Sequence, residues 1–169
     1  MRRVRAVWGS LLFTIVVPGT VAALLPWFLT HWRSGRDLPQ DIGFRIAGIV
    51  LIVAGLPVLL HAIYRFAIEG SGTPAPIAPT EHLVVGGPNR FVRNPMYIAV
   101  VTIIVGQAVL LGRAELLWYA AIVAVGQVLF VHLYEEPALH RRFGEDYERY
   151  QREVPAWIPR RTPWAPTGG

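Results

Sequence analysis

Apolar residues occur along the chain in four long blocks, separated by polar segments that carry most of the charge. The blocks cover residues 7–29, 43–68, 97–112 and 116–134. A membrane-spanning helix needs about 20 apolar residues, and three of the blocks are close to that length or exceed it. The third block is shorter. Only residues 113–115 separate it from the fourth, so we expect these two helices to be antiparallel neighbours.

This pattern predicts an all-α integral membrane protein with about four transmembrane helices, in a single membrane domain over residues 1–169. Residues 73–80 are Pro-rich and predict an extended linker at the start of a polar loop, residues 73–97. Beyond the fourth block, apolar and aromatic side chains recur at helical spacing: Leu139, Phe143, Tyr147, Tyr150 and Val154. We therefore expect a C-terminal amphipathic cytoplasmic helix within a lid segment, residues 135–160.

The composition agrees with a membrane protein. Hydrophobic residues make up 53% of the chain and the mean hydropathy is +0.41, above the range of about 45–50% apolar residues in soluble domains. There is no Cys, which excludes disulfides and thiolate metal sites. The net charge of +5 comes from Arg residues that flank the apolar blocks and form no single stripe, so we expect no nucleic-acid partner.

The distribution of the 16 basic residues, all Arg, predicts the orientation in the membrane. Twelve lie in the N-terminal tail, between the second and third blocks, or in the C-terminal tail, and four lie on the opposite side. Cytoplasmic loops carry the excess of basic residues. Both termini are therefore predicted to be cytoplasmic, in what we expect to be a bacterial cytoplasmic membrane. The loop 73–97 and the lid segment then share one face.

The loop contains the first group of candidate functional residues. Residues 86–88, Gly-Gly-Pro, predict a turn whose backbone N–H groups can bind a ligand. Pro95 disfavours a helical conformation at Asn94 and holds it extended where the third block begins. An alternative interpretation is a membrane-entry loop in which Arg90 and Arg93 face lipid phosphates.

The lid segment begins with two carboxylates, Glu135 and Glu136, at the membrane boundary, where charges need hydration or a partner. Pro137 follows and predicts a helix that restarts there with both carboxylates at its N-terminus. The carboxylates can bind ribose hydroxyl groups or pair with Arg93, or they can simply cap the helix. Two tryptophans are predicted to anchor the end of the segment at the membrane interface: Trp157 and Trp164.

In the order and spacing of these residues, roughly over residues 70–160, the chain resembles the isoprenylcysteine carboxyl methyltransferase family, within the broader group that includes the phospholipid methyltransferases. The matching positions are Leu83-Val84, Gly87-Pro88, Arg93-Asn94-Pro95-Met96-Tyr97, Glu135-Glu136, Leu139, Phe143-Gly144, Tyr147, Tyr150 and Val154-Pro155. Two positions depart from the pattern. Asn89 stands where the family has Tyr. Val131, next to His132, stands where the eukaryotic isoprenylcysteine enzymes have a substrate-contacting Arg.

The resemblance implies S-adenosylmethionine-dependent methyl transfer to a lipophilic acceptor embedded in the membrane, with the cofactor between residues 83–97 and the C-terminal segment. The acceptor's carboxyl, amine or phospholipid-like character stays open, although the departure at Val131 disfavours a prenylcysteine carboxylate. The implied cofactor-binding residues are His82, Leu83, Val84, Gly87, Asn89, Asn94, Pro95, Met96, Tyr97 and Glu135. Arg93 and Glu136 are the implied catalytic residues, and no metal site is implied.

Two other functions remain open at this point. One is a non-catalytic membrane accessory protein that handles haem or a quinone, in which His61 and His132, inside apolar blocks, would be the functional residues. The other is a nicotinamide-dependent membrane reductase, because such enzymes share a similar C-terminal architecture. A reductase of that kind is expected to have a longer helical bundle than four spans provide.

Overall fold

A computed structural model describes residues 16–69 and 83–165, which form helices and connecting loops with no β-strand among them. The helices are α1 (Val16–Thr30), α2 (Ile42–Glu69), α3 (Pro95–Leu111), α4 (Ala114–Phe130), α5 (Glu136–Phe143) and α6 (Glu145–Glu153). The shorter turns are a 3-10 turn before α3 (Gly87–Arg90) and π-helical turns within α1 (Thr20–Leu24) and between α4 and α5 (Val131–Glu135). The all-α prediction is confirmed for this part of the chain.

Among the described residues, two helical segments are long and apolar enough to cross a membrane: Ile42–Arg65 and Ala114–Phe143. Only 22% and 17% of their most apolar windows are buried within the protein, whereas the core helix of a soluble protein is mostly buried. Trp118, Ile122 and Leu133 are each more than 70% exposed. Lipid is the solvent that suits such a surface, so the protein is an integral membrane protein. Helix α3 and the described part of α1 are apolar but shorter.

Glycines allow α2 and α3 to pack in direct backbone contact. A Cβ atom on Gly48 would lie 2.6 Å from the backbone nitrogen of Leu110, and one on Gly106 would lie 2.9 Å from the carbonyl oxygen of Gly48. Farther along α2, a Cβ atom on Gly55 would lie 2.8 Å from Ile103 Cγ1. The pairing runs in opposite directions along the two helices, so they are antiparallel. Small residues promote this close packing in membranes, and here they set how α3 is aligned against α2.

The π-helical turn of α1 ends two residues before a proline. Because Pro26 has no N–H group, it cannot donate to the carbonyls four and five residues earlier, those of Ala22 and Val21. Side chains from two other helices take its place. Gln107 Nε2 donates to the Ala22 carbonyl at 2.7 Å, and the Tyr119 hydroxyl donates to the Val21 carbonyl at 2.8 Å. These bonds fasten α1 to α3 and α4.

The prediction that a new helix starts at Pro137 is wrong. Glu135 and Glu136 both have right-handed helical backbone angles, and the Glu136 N–H donates to the carbonyl of Val131. The π-helical turn places Pro137 at the same distance from the turn as Pro26 in α1, and the wider turn absorbs the missing donor. The two carboxylates therefore lie within a continuous helix, away from any free N-terminus, and other side chains must satisfy them.

The C-terminal segment folds back against the loop that precedes α3. Helices α5 and α6 meet at Gly144, whose φ of +50° favours glycine. Tyr147 and Tyr150 are the buried residues of α6, and they pack with Val154 and Trp164 in one cluster. Trp164 is only 7% exposed, so its side chain packs inside the protein and is not the exposed anchor that the sequence predicts. Its indole packs on Tyr150, with ring centres 5.3 Å apart.

Candidate functional site

The loop before α3 is tied to the C-terminal segment by backbone hydrogen bonds that are distant in sequence. With the donor first, these are Arg93 to Pro155, Arg160 to Phe91 and Trp164 to Arg90, at 2.8–2.9 Å. The Asn94 side chain adds a bond from Nδ2 to the carbonyl of Ala156 at 3.1 Å. Asn94 has φ −117° and ψ +53°, so it is not helical, as Pro95 predicts, but the prediction that it is extended is wrong. The two polar segments therefore form one structural unit.

Arg93 stands at the centre of this unit. Its Nη1 donates to Glu136 Oε1 at 2.7 Å and to the Tyr147 hydroxyl at 3.1 Å, so one guanidinium connects the loop, α5 and α6. The Arg93 and Glu136 side chains are 11% and 12% exposed, which shields the ion pair from water. Removing one partner of a shielded pair leaves an uncompensated charge. The other Glu136 oxygen, Oε2, lies 2.9 Å from Nδ1 of His132.

A second contact, one residue earlier along the helix, joins α3 to the π-helical turn. The Tyr97 hydroxyl donates to Glu135 Oε2 at 2.9 Å, from the first turn of α3 to the π-helical turn. The adjacent carboxylates thus point to different partners, Glu135 to Tyr97 and Glu136 to Arg93.

Asn89 places a buried amide at the site. Its side chain donates from Nδ2 to the Arg93 carbonyl at 3.3 Å, and its backbone carbonyl accepts from the Tyr150 hydroxyl at 2.6 Å. Within residues 16–69 and 83–165, neither Asn89 Oδ1 nor Arg93 Nε has a hydrogen-bond partner, although both atoms are buried. An unpaired buried polar group costs roughly 1–3 kcal/mol. One acceptor and one donor are thus available to a polar ligand.

A cavity of about 50 Å³ lies between these groups. Its lining residues are Leu83, Val84, Asn89, Arg93, Asn94, Val131, Glu135, Glu136, Leu139, Tyr147 and Tyr150. Small-molecule sites commonly measure about 300–1,000 Å³, so a nucleoside-sized ligand must extend beyond this cavity or displace its walls. Residues 70–82, directly before Leu83, lie outside the described residues.

Comparison of the sequence with known protein families gives a match. The family model described as phospholipid methyltransferase matches residues 44–146, more than half of the chain. The protein belongs to the phospholipid methyltransferase family. The match covers the loop and both carboxylates and ends just before Tyr147, whose hydroxyl bonds to Arg93. No curated protein and no solved structure gives a significant match.

Membership of the phospholipid methyltransferase family confirms the broader group named in the resemblance. The family supports methyltransferase activity on membrane lipid-like substrates. The narrower assignment to the isoprenylcysteine enzymes stays a prediction.

The cavity brings together seven of the predicted site residues: Leu83, Val84, Asn89, Arg93, Asn94, Glu135 and Glu136. Tyr97 reaches it through its bond to Glu135. Three other predicted residues do not line it. Gly87 packs against His61 of α2, Pro95 opens α3, and Met96 lies in the core between the helices. His82 lies outside the described residues.

Four lining residues were not predicted as site residues: Val131, Leu139, Tyr147 and Tyr150. The last three belong to the amphipathic repeat of the lid segment, which indicates a buried face but not what that face contacts. The contact between the Tyr147 hydroxyl and Arg93 could not be predicted from this repeat alone. Its prediction would also require knowing that the buried face packs against the loop before α3.

The two tyrosines of α6 act at this site as neutral hydrogen-bonding groups. Burial raises the pKa of Tyr147 to about 12, although the nearby Arg93 opposes the shift. Burial also raises the pKa of Tyr150 above its ordinary value. Both phenols therefore stay protonated at neutral pH and hold the loop and Arg93 in place without serving as bases.

The two histidines considered for a haem or quinone site, His61 and His132, make contacts within the protein. Gly87, with φ +58°, lies so close to α2 that a Cβ atom there would be 2.6 Å from His61 Nε2. His132 is bonded to Glu136. In the part of the chain that the structure describes, no three side chains of His, Asp or Glu form a group that could hold a metal ion.

Proposed function

We propose that the protein transfers a methyl group from S-adenosylmethionine to a lipophilic acceptor in the membrane, with the cofactor bound between residues 83–97 and the C-terminal segment. The observation that carries this proposal is the cavity between these two segments, lined by both charged and apolar side chains, in a chain of a methyltransferase family. A lining of this mixed character suits a polar cofactor and an apolar co-substrate together.

The side chains of the cavity fit S-adenosylmethionine by their chemistry. Asn89 Oδ1 is a buried acceptor for an amino group, and Arg93 Nε is a buried donor for a carboxylate. Glu135 supplies an oxygen for ribose hydroxyls or for a positive charge. When bound, the cofactor supplies a methyl group already activated on a sulfonium. The remaining tasks of the protein are to orient the acceptor and to exclude water.

The acceptor reaches the site from the bilayer. Leu129, Phe130 and Leu133, on the helix that leads into the carboxylates, are 38–75% exposed and form an apolar approach. The charged groups of the described cavity wall are Glu135, Glu136 and a single cation, Arg93, which is already paired. This balance favours an acceptor whose head group is an amine over one that carries a carboxylate. The acceptor we favour is therefore a lipid with an amine head group.

We place the site on the cytoplasmic side of a bacterial membrane, with both termini cytoplasmic, because twelve of the sixteen Arg residues lie at that end of the predicted topology. A reporter fused after Gly169 tests the orientation. Activity of a cytoplasmic reporter is expected, and activity of a periplasmic reporter alone would reverse the assignment.

The decisive experiment is calorimetric binding of S-adenosylmethionine to the purified protein in nanodiscs, with NADPH as the control ligand for the reductase alternative. Micromolar binding of S-adenosylmethionine alone is expected. Glu135→Gln should weaken it at least tenfold, while the matched control Glu115→Gln, in the first turn of α4, should not change it. Equal affinities of the two variants, or binding of NADPH instead, would contradict the proposal.

Methyl transfer is then measured with S-adenosylmethionine labelled in the methyl group. Nanodiscs of phosphatidylethanolamine offer a nitrogen that can accept a methyl group, whereas the quaternary nitrogen of phosphatidylcholine cannot. Label is expected in the first lipid and not in the second. Label in both lipids would point to an acceptor atom other than the head-group nitrogen.

A further inference from the structure

One polar contact at the edge of the site is not used by cofactor binding, and it joins His132 to Glu136. The Nδ1 atom of His132 lies 2.9 Å from Oε2 of Glu136. The His132 side chain is 47% exposed, whereas that of Glu136 is 12% exposed. The pair therefore runs from the shielded interior of the site to its outer surface.

The geometry fixes which nitrogen of His132 is available. A carboxylate only accepts hydrogen bonds, so Nδ1 carries the hydrogen and the Nε2 lone pair lies at the opposite edge of the ring. Glu136 cannot rotate away, because its other oxygen accepts from Arg93 Nη1 at 2.7 Å. A histidine oriented by a fixed carboxylate is the arrangement that enzymes use for a general base.

The neighbours of His132 place it where a lipid acceptor would pass. Val131, directly before it, is 1% exposed and lines the cavity. Leu133 and Tyr134, directly after it, are 75% and 45% exposed on the apolar surface. His132 thus stands at the boundary between the cavity wall and the membrane-facing side of the helix.

We propose that His132, oriented by Glu136, is the base that removes a proton from the methyl-accepting atom of the substrate. This inference rests on the proposed function. It restricts the acceptor to groups that carry a proton on the accepting atom at neutral pH, such as a primary, secondary or tertiary ammonium. A carboxylate or a thioether already has its lone pair free and needs no base.

For an ammonium head group, His132 Nε2 takes a proton from the acceptor nitrogen. The lone pair that this releases on nitrogen attacks the methyl carbon. The nitrogen–carbon bond forms as the carbon–sulfur bond breaks, and the electron pair of that bond stays on sulfur. The imidazolium of His132 then gives its proton to water, for which its exposed edge is suited.

The simpler alternative is that the pair only stabilises the helix, since the two residues are four positions apart. His132→Gln separates the two roles. The glutamine amide can still donate to Glu136, but it cannot take up a proton. His140→Gln is the matched control. His140 is likewise a partly exposed histidine, but it lies in the lid segment and is bonded to Gln151, at 2.8 Å.

The experiment measures labelled methyl transfer into phosphatidylethanolamine nanodiscs against pH, together with calorimetric S-adenosylmethionine binding. We expect His132→Gln to slow transfer by about 10²–10⁴-fold, the usual contribution of a general base, with cofactor affinity unchanged. The rate of the parent should fall on acidification, and the variant should lose that dependence.

Other charged groups near His132 also influence the dependence of the rate on pH. They are Glu136 and Glu135 on its own helix and Arg93 from the loop. His140→Gln should behave as the parent.

A second variant guards against misfolding. His132→Ala should regain activity when imidazole is added, with a rate that saturates, and a folded His132→Ala protein that imidazole does not rescue would overturn the role. Transfer by the parent together with an unchanged rate and pH profile in His132→Gln would also overturn it, while leaving the proposed function intact. No transfer by the parent into any lipid would overturn the proposed function and the role of His132 with it.

Discussion

The hydroxyl of Tyr97 donates a 2.9 Å hydrogen bond to Oε2 of Glu135, across 38 positions of the chain. The bond joins the first turn of α3 to the π-helical turn before α5 and fixes one wall of the cavity. Backbone contact at Gly48 and Gly106 holds α3 against α2. The bond from Tyr97 therefore fixes the position of Glu135 relative to these two packed helices.

Tyr97→Phe should weaken S-adenosylmethionine binding about tenfold, because Glu135 loses the donor that orients it and hydrogen bonds to charged groups contribute about 1.5–3 kcal/mol. Calorimetry checks the affinity. Tyr119→Phe is the matched control, since it removes a tyrosine hydrogen bond, to the Val21 carbonyl, far along the chain from the site. Equal loss of affinity in both variants would show a general effect on the bundle.

Arg93→Ala should lower the free energy of unfolding by about 3–5 kcal/mol, because it leaves Glu136 shielded and uncompensated. Chemical denaturation in detergent measures the change. Glu115→Gln breaks an ion pair to Arg113 in which the carboxylate is 41% exposed, and it should cost less than about 1 kcal/mol. If Arg93→Ala lowered the free energy of unfolding by as little as Glu115→Gln does, water would have to reach the pair of Arg93 and Glu136.

Gly87→Ala should distort the loop, since Gly87 has φ +58° and a Cβ atom there would lie 2.6 Å from His61 Nε2. We expect a lower unfolding temperature and weaker cofactor binding, with about 1–2 kcal/mol lost to the left-handed backbone alone. Gly126→Ala in α4, where nothing lies within 4 Å of the added atom, should be neutral or stabilising by up to about 1 kcal/mol. Similar behaviour of the two variants would argue against tight packing at Gly87.

Gln107→Leu should destabilise the protein by about 1–3 kcal/mol, because the Ala22 carbonyl loses its donor. Adding Pro26→Ala should recover much of that loss, since the new N–H group can donate to the same carbonyl. A double-mutant cycle on the free energy of unfolding measures the coupling. Strictly additive effects would show that the proline does not create the need for Gln107.

The stability of the protein should fall as the pH rises from 10 to about 12. The folded-state pKa of Tyr147 is raised from 10.0 to about 12 by burial, so its contribution is complete below pH 10 and is lost as the pH rises through the folded value. Tyr150 adds to the effect in the same direction. Denaturation midpoints across this range should change less in Tyr147→Phe. An unchanged pH dependence in that variant would contradict the assignment.

Much of the site could be predicted because its residues are local in sequence. Pro95 sets the conformation of Asn94, and the motif order brings the loop and the two carboxylates to one face. The partners of Glu135 and Glu136 could not be predicted, because adjacent residues on a helix point about 100° apart and the π-helical turn changes that phase. The burial of Trp164 depends on a backbone bond to Arg90, which no sequence pattern marks.

The π-helical turn at Val131–Glu135 acts as a one-residue insertion in an otherwise α-helical rod. Deleting one residue from it would rotate everything beyond by about 100°, which would turn Glu136 and Leu139 away from Arg93. The extra residue therefore sets the rotation of the site-facing side of α5 relative to the lipid-facing side of α4. Substitutions on the lipid-facing side of α4 can then occur without turning Glu136 and Leu139 away from Arg93.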